Sequence, residues 1–168
     1  RWSLRLALVF SLLVALFLAH SIWFKPLHIR IFFDRVFAEY LFKNPEMMSG
    51  MRILPAWMNW YNDDLADASL AFEDQMREKL KNDYAMLRSY DRSALDADTQ
   101  VSYDMLDYFL GMQQEGDRFR FHNYPLNQLF GLQNGMPTFM ATQHQVKSET
   151  EADDYIARLG KFPLKFEQ

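Results

Sequence analysis

LDADTQVSYDMLDYFLGMQQEG, residues 95–116, carries a start signal, an apolar repeat and a stop in one stretch. Asp96 or Asp98 can cap the first turn of a helix by accepting from its free backbone N–H groups. Val101, Met105, Tyr108, Phe109 and Met112 then recur at helical spacing, and Gly116 ends the run. The same grammar precedes it. Asn62 is expected to cap a long helix, with Asp63 and Asp64 favourable in the first turn. Its stripe is Leu65, Phe72, Met76, Leu80, Tyr84 and Leu87, and Glu73 with Arg77 forms an i,i+4 pair on the other side. A short connection between two such helices predicts an antiparallel pair.

Outward from this pair the chain stays helical. In residues 27–42, Ile29, Phe32, Phe33, Val36, Phe37, Tyr40 and Leu41 line one face, with Asp34, Arg35 and Glu39 opposite. That pattern fits a helix docked on the protein core better than one lying on a membrane, because acids on the polar face weaken lipid attraction. Asn44-Pro45 ends the helix, and residues 45–61 follow as an irregular linker punctuated by Pro45, Gly50 and Pro55. Residues 117–124, DRFRFHNY, alternate like a short extended edge, and Pro125 and Pro137 are each placed to begin a short helix. In SETEADDYIARLGKFP, residues 148–163, Ser148 and Glu151 form a capping box. Ala152, Tyr155, Ile156 and Leu159 are expected to face inward, and Gly160 and Pro163 close the helix. The expected fold is all-α, irregular, with one short extended or loop segment near residues 117–136.

Residues 4–24, LRLALVFSLLVALFLAHSIWF, carry no charge beyond Arg5 at the edge. At about 1.5 Å per residue such a helix crosses a hydrocarbon core of about 30 Å. Trp23, Phe24, Lys25 and Pro26 resemble an interfacial belt and a stop. The expectation is a transmembrane signal anchor over residues 1–26, with residues 27–168 forming the N-terminal helical part of a larger domain. A cleaved signal peptide is the alternative, with Ala19 and Ser21 as the small residues before a cut. Either way the acidic part is expected in the periplasm: single-pass at the cell inner membrane if the anchor stays, secreted if it is cut.

The charge distribution agrees with that division. Of 18 basic residues four lie in residues 1–30, which hold no acid; the remaining 14 face 22 acidic residues, a balance of −8. Nucleic acid is not an expected partner, because phosphate binding needs clustered Lys or Arg. The absence of cysteine removes disulfides, thiolate zinc sites and cysteine nucleophiles. Beginning at Arg1 and ending at Gln168, just after a proline placed to start a helix, the chain is expected to be a fragment at both ends.

Catalytic motifs are sparse. Zinc hydrolysis on a helix needs two histidines four apart with a glutamate, and His20, His28, His122 and His144 contain no such pair. His122, His144 and Glu149 could combine only through folding, and local hydrogen bonding or a surface position is the simpler role for both histidines. Methionines in residues 45–61 could hold copper(I), but methionine near Trp57 and Trp60 is better read as gap filling. There is no glycine-rich phosphate loop and no G-x-S-x-G elbow. Asp63-Asp64 and Asp153-Asp154 suit helix first turns rather than acid–base work.

One family resemblance runs along most of the chain. FRFHNYPLNQLFG (119–131), MPTFMATQH (136–144) and the 148–163 stretch occur in the order seen in a bacterial family called domain of unknown function 885. FFDRVFAEYLFKNPE (32–46) and LDADTQVSYDMLDYFL (95–110) resemble its opening helix and the helix before its Tyr-Pro-Leu segment. The family is a set of mostly α-helical proteins predicted to be gluzincin-type zinc metallopeptidases, with a His-Glu-and-His zinc region far downstream of the matched part. The resemblance implies zinc in the full-length protein and no cofactor, metal or catalytic residue in this chain.

It also implies a role for the amide-rich segment FHNYPLNQLFGLQNGMPTF, residues 121–139. Asn127, Gln128, Gln133 and Asn134 suit a rigid crossing in which side-chain amides satisfy exposed backbone groups. Tyr124, Asn127 and Gln128 are in addition candidate residues of a peptide-substrate cleft. The expected function is thus the membrane-anchored helical region of a zinc-dependent peptidase, partnered by the lipid bilayer through residues 4–24 and by a C-terminal catalytic region. The alternative is a non-enzymatic, membrane-tethered helical module that holds a partner through its exposed stripes.

Overall fold

The computed structural model describes residues 2–122 and 124–168. Its helices are α1 (Trp2–Trp23), α2 (Ile29–Phe42), α3 (Pro45–Met51), α4 (Leu70–Arg88), α5 (Ala97–Gly116), α6 (Leu132–Thr142), α7 (Glu149–Gly160) and α8 (Phe162–Glu167). Short 3-10 turns cover Ala56–Met58, Arg92–Ala94 and Asp117–His122. No strand occurs among the described residues, so the all-α expectation holds. Contacts divide the chain into two compact units, one of residues 1–38 and 80–112, the other of residues 39–79 and 113–168.

In the first unit, α1 is long and apolar enough to cross a membrane, and Leu6, Phe10, Leu13, Phe17, Ile22 and Trp23 on it are exposed. The core beside it is built from α2, the second half of α4 and α5. Ile29, Phe32, Leu87, Tyr103 and Leu110 are buried together, with Leu80, Tyr84 and Leu106 packed around them. Successive contacts run in opposite directions along α5 and along α4 with the turn that follows it: Tyr84 beside Gly111, Arg88 with Asp107 at 3.0 Å, and Arg92 of the turn with Asp104 at 2.6 Å. This is the predicted antiparallel pair. Asp96 caps α5, accepting from Thr99 N at 3.0 Å and from Thr99 Oγ1 at 2.7 Å. Arg30 of α2 binds the same cap, reaching Thr99 Oγ1 at 3.0 Å and Asp96 at 3.3 Å.

The buried face of α5 is not the predicted one. Thr99, Tyr103 and Leu110 point inward, while Val101, Met105, Tyr108, Phe109 and Met112 are all more than half exposed. The helix carries two apolar stripes, and Phe32 and Leu87 select the smaller. In α2, Ile29, Phe32 and Leu41 are buried, but Phe37 and Tyr40 stay exposed.

In the second unit the helix expected from Asn62 starts later. Ser69 caps α4, its Oγ accepting from Phe72 N at 3.2 Å. Asn62 is itself buried, and residues 62–69 form a connection instead. The Glu73–Arg77 pair is present at 3.0 Å. The segment expected to be extended begins as a 3-10 turn, Asp117–His122. Asp117 pairs with Arg77, and Arg120 folds back to Glu73 at 3.0 Å and Asp74 at 2.7 Å. Those ion pairs favour a compact turn where alternation alone suggests a strand.

Residues 45–61 are also more ordered than an irregular linker. Pro45 occupies the first turn of α3, where its missing N–H costs nothing. Met48 packs with Leu41 and Tyr61, and Met47 and Leu54 adjoin them. The methionines thus fill gaps, but beside Leu41 and Tyr61; Trp57 and Trp60 are exposed. Pro137 lies inside α6 rather than at its start. Pro163 does sit in the first turn of a helix, α8.

Candidate functional site

The turn between the 3-10 segment and α6 is held by amide side chains, as the sequence suggested. Asn127 Oδ1 accepts from Leu129 N at 3.1 Å and Phe130 N at 2.7 Å, and its Nδ2 donates to Tyr124 O at 3.1 Å. Gln133 Nε2 donates to Asn127 O, and Asn134 Nδ2 donates to Gln128 O at 3.1 Å. Leu132 N closes the turn on Pro125 O at 2.9 Å. Gly131 is required by close approach: a Cβ there would lie 2.8 Å from Asn127 O, with the backbone nitrogen nearer still. Of the three candidate cleft residues, Asn127 is half-buried by these bonds, and Tyr124 and Gln128 are exposed. Around them Phe121, Leu126, Leu129 and Phe130 also face outward.

A second constellation, not expected from the sequence, lies in the interior of this unit. Arg158 on α7 has no exposed surface. Its Nε donates to Asp64 O at 2.7 Å and its Nη2 to Tyr61 O at 2.9 Å. Its Nη1 donates to Ser49 Oγ at 3.0 Å and to His144 Nδ1 at 2.8 Å. The guanidinium lies over the Phe139 ring, 5.1 Å from its centroid. One side chain thereby joins α3, the 61–64 connection, α6, the connection that follows α6, and α7.

The histidine's state follows from its partner. Arginine has no acceptor, so His144 Nδ1 must be unprotonated. Nε2 then carries the hydrogen and donates to Glu151 O at 3.3 Å. Burial, then the Arg158 charge beside it, hold the His144 pKa below its ordinary value, despite the opposing Glu151 carbonyl and carboxylates. Burial also pulls Arg158 downward, against the fields of Glu46, Asp63, Asp64 and Asp154. From its high starting point it stays charged.

The shell around this pair is bonded in turn. Ser49 Oγ donates to Asn62 Oδ1 at 2.9 Å. Asp154 accepts from Asn59 at 3.1 Å and from Asn62 at 3.2 Å. Glu151 accepts from Arg52 at 2.8 Å and from Lys147 N at 2.6 Å, while Ser148 Oγ takes Glu151 N at 3.2 Å. Half of the predicted capping box is therefore present, and the glutamate serves Lys147 instead of Ser148. Arg52 sits in the left-handed region, φ 46°, as the C-cap of α3, where its N–H donates to Met48 O at 3.0 Å.

This network corrects the expected inner face of α7. Ile156 and Leu159 point outward, and Glu151 and Arg158 are buried. A signal was present: Glu151, Asp154, Tyr155 and Arg158 recur at helical spacing as a polar stripe. The Asp63-Asp64 pair binds Lys161, at 3.6 and 3.1 Å, instead of serving a helix first turn. The arrangement positions backbone. His144 has its acceptor lone pair on Arg158, and four N–H groups of Arg158 are committed, so neither is presented to a substrate. No group of three metal-ligating side chains gathers among the described residues; His122 instead meets Phe119 edge-on at 5.6 Å.

Residues 45–168, which include both constellations, match the family model described as bacterial protein of unknown function (DUF885). The chain belongs to the DUF885 family. The match covers α3 to α8, so the amide-held turn and the Arg158 network both lie in the DUF885 region. No curated protein and no solved structure matches the chain.

Proposed function

We propose that this DUF885 chain is the membrane-anchored helical scaffold of a zinc-dependent peptidase. Its zinc ligands are supplied from outside residues 1–168. The observation that carries the reading is the commitment of the buried polar groups: Arg158, His144, Asn62 and Glu151 bond one another and the backbone. Such a network rigidifies and is not free to do chemistry. The apolar faces left outward on α5 and along residues 119–130 are suited to lean on a catalytic region. The peptidase activity and the zinc come from the family resemblance. In this reading Tyr124, Asn127 and Gln128 edge the peptide cleft, α1 sits in the inner membrane, and the acidic part faces the periplasm.

The test is to express the complete reading frame of the gene in a bacterial membrane and assay peptide hydrolysis with and without a zinc chelator. Chelator-sensitive hydrolysis, reversed by added zinc, is the expected result. A membrane-bound product with no hydrolysis of any peptide in a diverse library would instead favour a tethered interaction module.

A further inference from the structure

The end of α1 is tied into the first unit more firmly than a free tether needs. The last carbonyls of a helix have no partner within it. Here Arg35 of α2 reaches back, and its Nη1 donates to Ser21 O at 3.1 Å, Ile22 O at 3.2 Å and Phe24 O at 2.8 Å. Its Nη2 lies 2.8 Å from Met86 Sδ on α4. Lys25 Nζ donates to Ser89 O at 2.8 Å and sits 4.2 Å over the Tyr90 ring. The Tyr90 hydroxyl donates to Pro26 O at 2.7 Å, and Pro26 and Ser21 are buried. Every residue from 21 to 26 except Trp23 thus has a backbone or side-chain group held by, or buried against, α2 and the end of α4. Against this fixed frame Ile22, Trp23, Phe24 and Leu27 all point outward, continuing the apolar surface of α1.

We propose that residues 21–27 form a rigid collar, with Arg35 as its positioning residue, that holds the first unit against the lipid headgroup layer and keeps α1 as a permanent part of the fold. The proposal rests on the reading of α1 as a membrane segment and adds two things: retention, and a fixed depth. The occupant of the apolar belt is the bilayer interface, because the belt is continuous with the span and carries Trp23 and Phe24, aromatic residues of the kind that sit at the headgroup level. Cutting after Ser21 would place a new ammonium on Ile22, whose carbonyl Arg35 already holds at 3.2 Å. Two like charges would then share one small space, and the short remnant of helix would lose its support.

The absence of native cysteine allows a direct test with Leu27→Cys in the 168-residue chain, reconstituted in nanodiscs of anionic and zwitterionic lipid. The expected result is slow reaction with a polar maleimide. Arg35→Gln should speed it roughly tenfold, and Tyr90→Phe, which removes one hydroxyl, should speed it by a smaller factor. Far-UV circular dichroism checks that both variants stay helical; if Arg35→Gln unfolds, Tyr90→Phe alone decides. Equal rates in helical wild type and variants would overturn the fixed depth. In cells, an exported chain beginning at Ile22 would overturn retention. Release of the intact protein by alkaline carbonate would instead defeat the membrane reading on which the proposal stands.

Discussion

Arg158 is the residue on which the second unit turns. Its four committed N–H groups serve two carbonyls, a serine and a histidine, none replaceable by water in a site with no exposed surface. Arg158→Met should cost about 3–5 kcal/mol, because the carbonyls of Tyr61 and Asp64 lose their donor in the interior. Arg158→Lys should restore little, since a point charge cannot span the fork. The urea midpoint of the second unit reads both. His144 gives a pH signature. Its folded pKa lies below the unfolded value, so the unfolded chain takes the proton more readily. Its contribution is complete above about pH 6.5, the unfolded value, and is lost as pH falls through the depressed folded value. His144→Gln should flatten the stability–pH curve in that window; an unchanged slope would show that other groups cause it.

The candidate cleft residues separate at the same scale. Asn127→Ala removes three side-chain hydrogen bonds and should lower stability by about 1–2 kcal/mol whatever else it does. Gln128 is exposed and offers its carbonyl to Asn134, so Gln128→Ala should leave stability unchanged. If the proposed function holds and Gln128 edges the peptide cleft, the substitution should raise KM for peptide hydrolysis in the full-length protein. An unchanged KM would leave these residues as scaffold only. The amide-held turn was legible in the sequence because such bonds are local. Arg158 was not, because its partners lie up to 109 positions away in the chain, and no local rule pairs α7 with Ser49.

Among the elements, α5 shows where helical periodicity stops being sufficient. Its start at Asp96, its length and its end at Gly116 follow from local chemistry and were readable. Its inward face was not, because two apolar stripes compete and only packing against Phe32 and Leu87 chooses between them. The consequence is a paired measurement. Leu110→Ala should destabilise the first unit by about 2–4 kcal/mol, the usual cost of emptying a buried leucine site. Met105→Glu, at a residue 69% exposed on the outer stripe, should cost less than about 0.5 kcal/mol. Equal losses would mean that the outer stripe is covered within this chain. The start of α4 was misread for a related reason: Asn62 carries a good local capping signal, but burial beside Ser49 and Asp154 claims it first.

At the scale of the whole molecule, the first unit is built on an apolar core, the second commits its buried polar groups to one another, and each leaves apolar side chains outward. In the proposed function, those outward faces are where a catalytic region would lean. Membership in DUF885 over residues 45–168 places both the Arg158 network and the amide-held turn within the family's shared region. Loss of either is therefore expected to weaken the full-length protein through stability before chemistry. In the proposed function, metal and turnover come from outside these residues. Zinc content, measured on the purified 168-residue chain and on the product of the complete reading frame, tests it most directly. One zinc per chain in the complete product and none held by the 168 residues is the expected result; stoichiometric zinc in the shorter chain, or none in the longer, would overturn the proposed function.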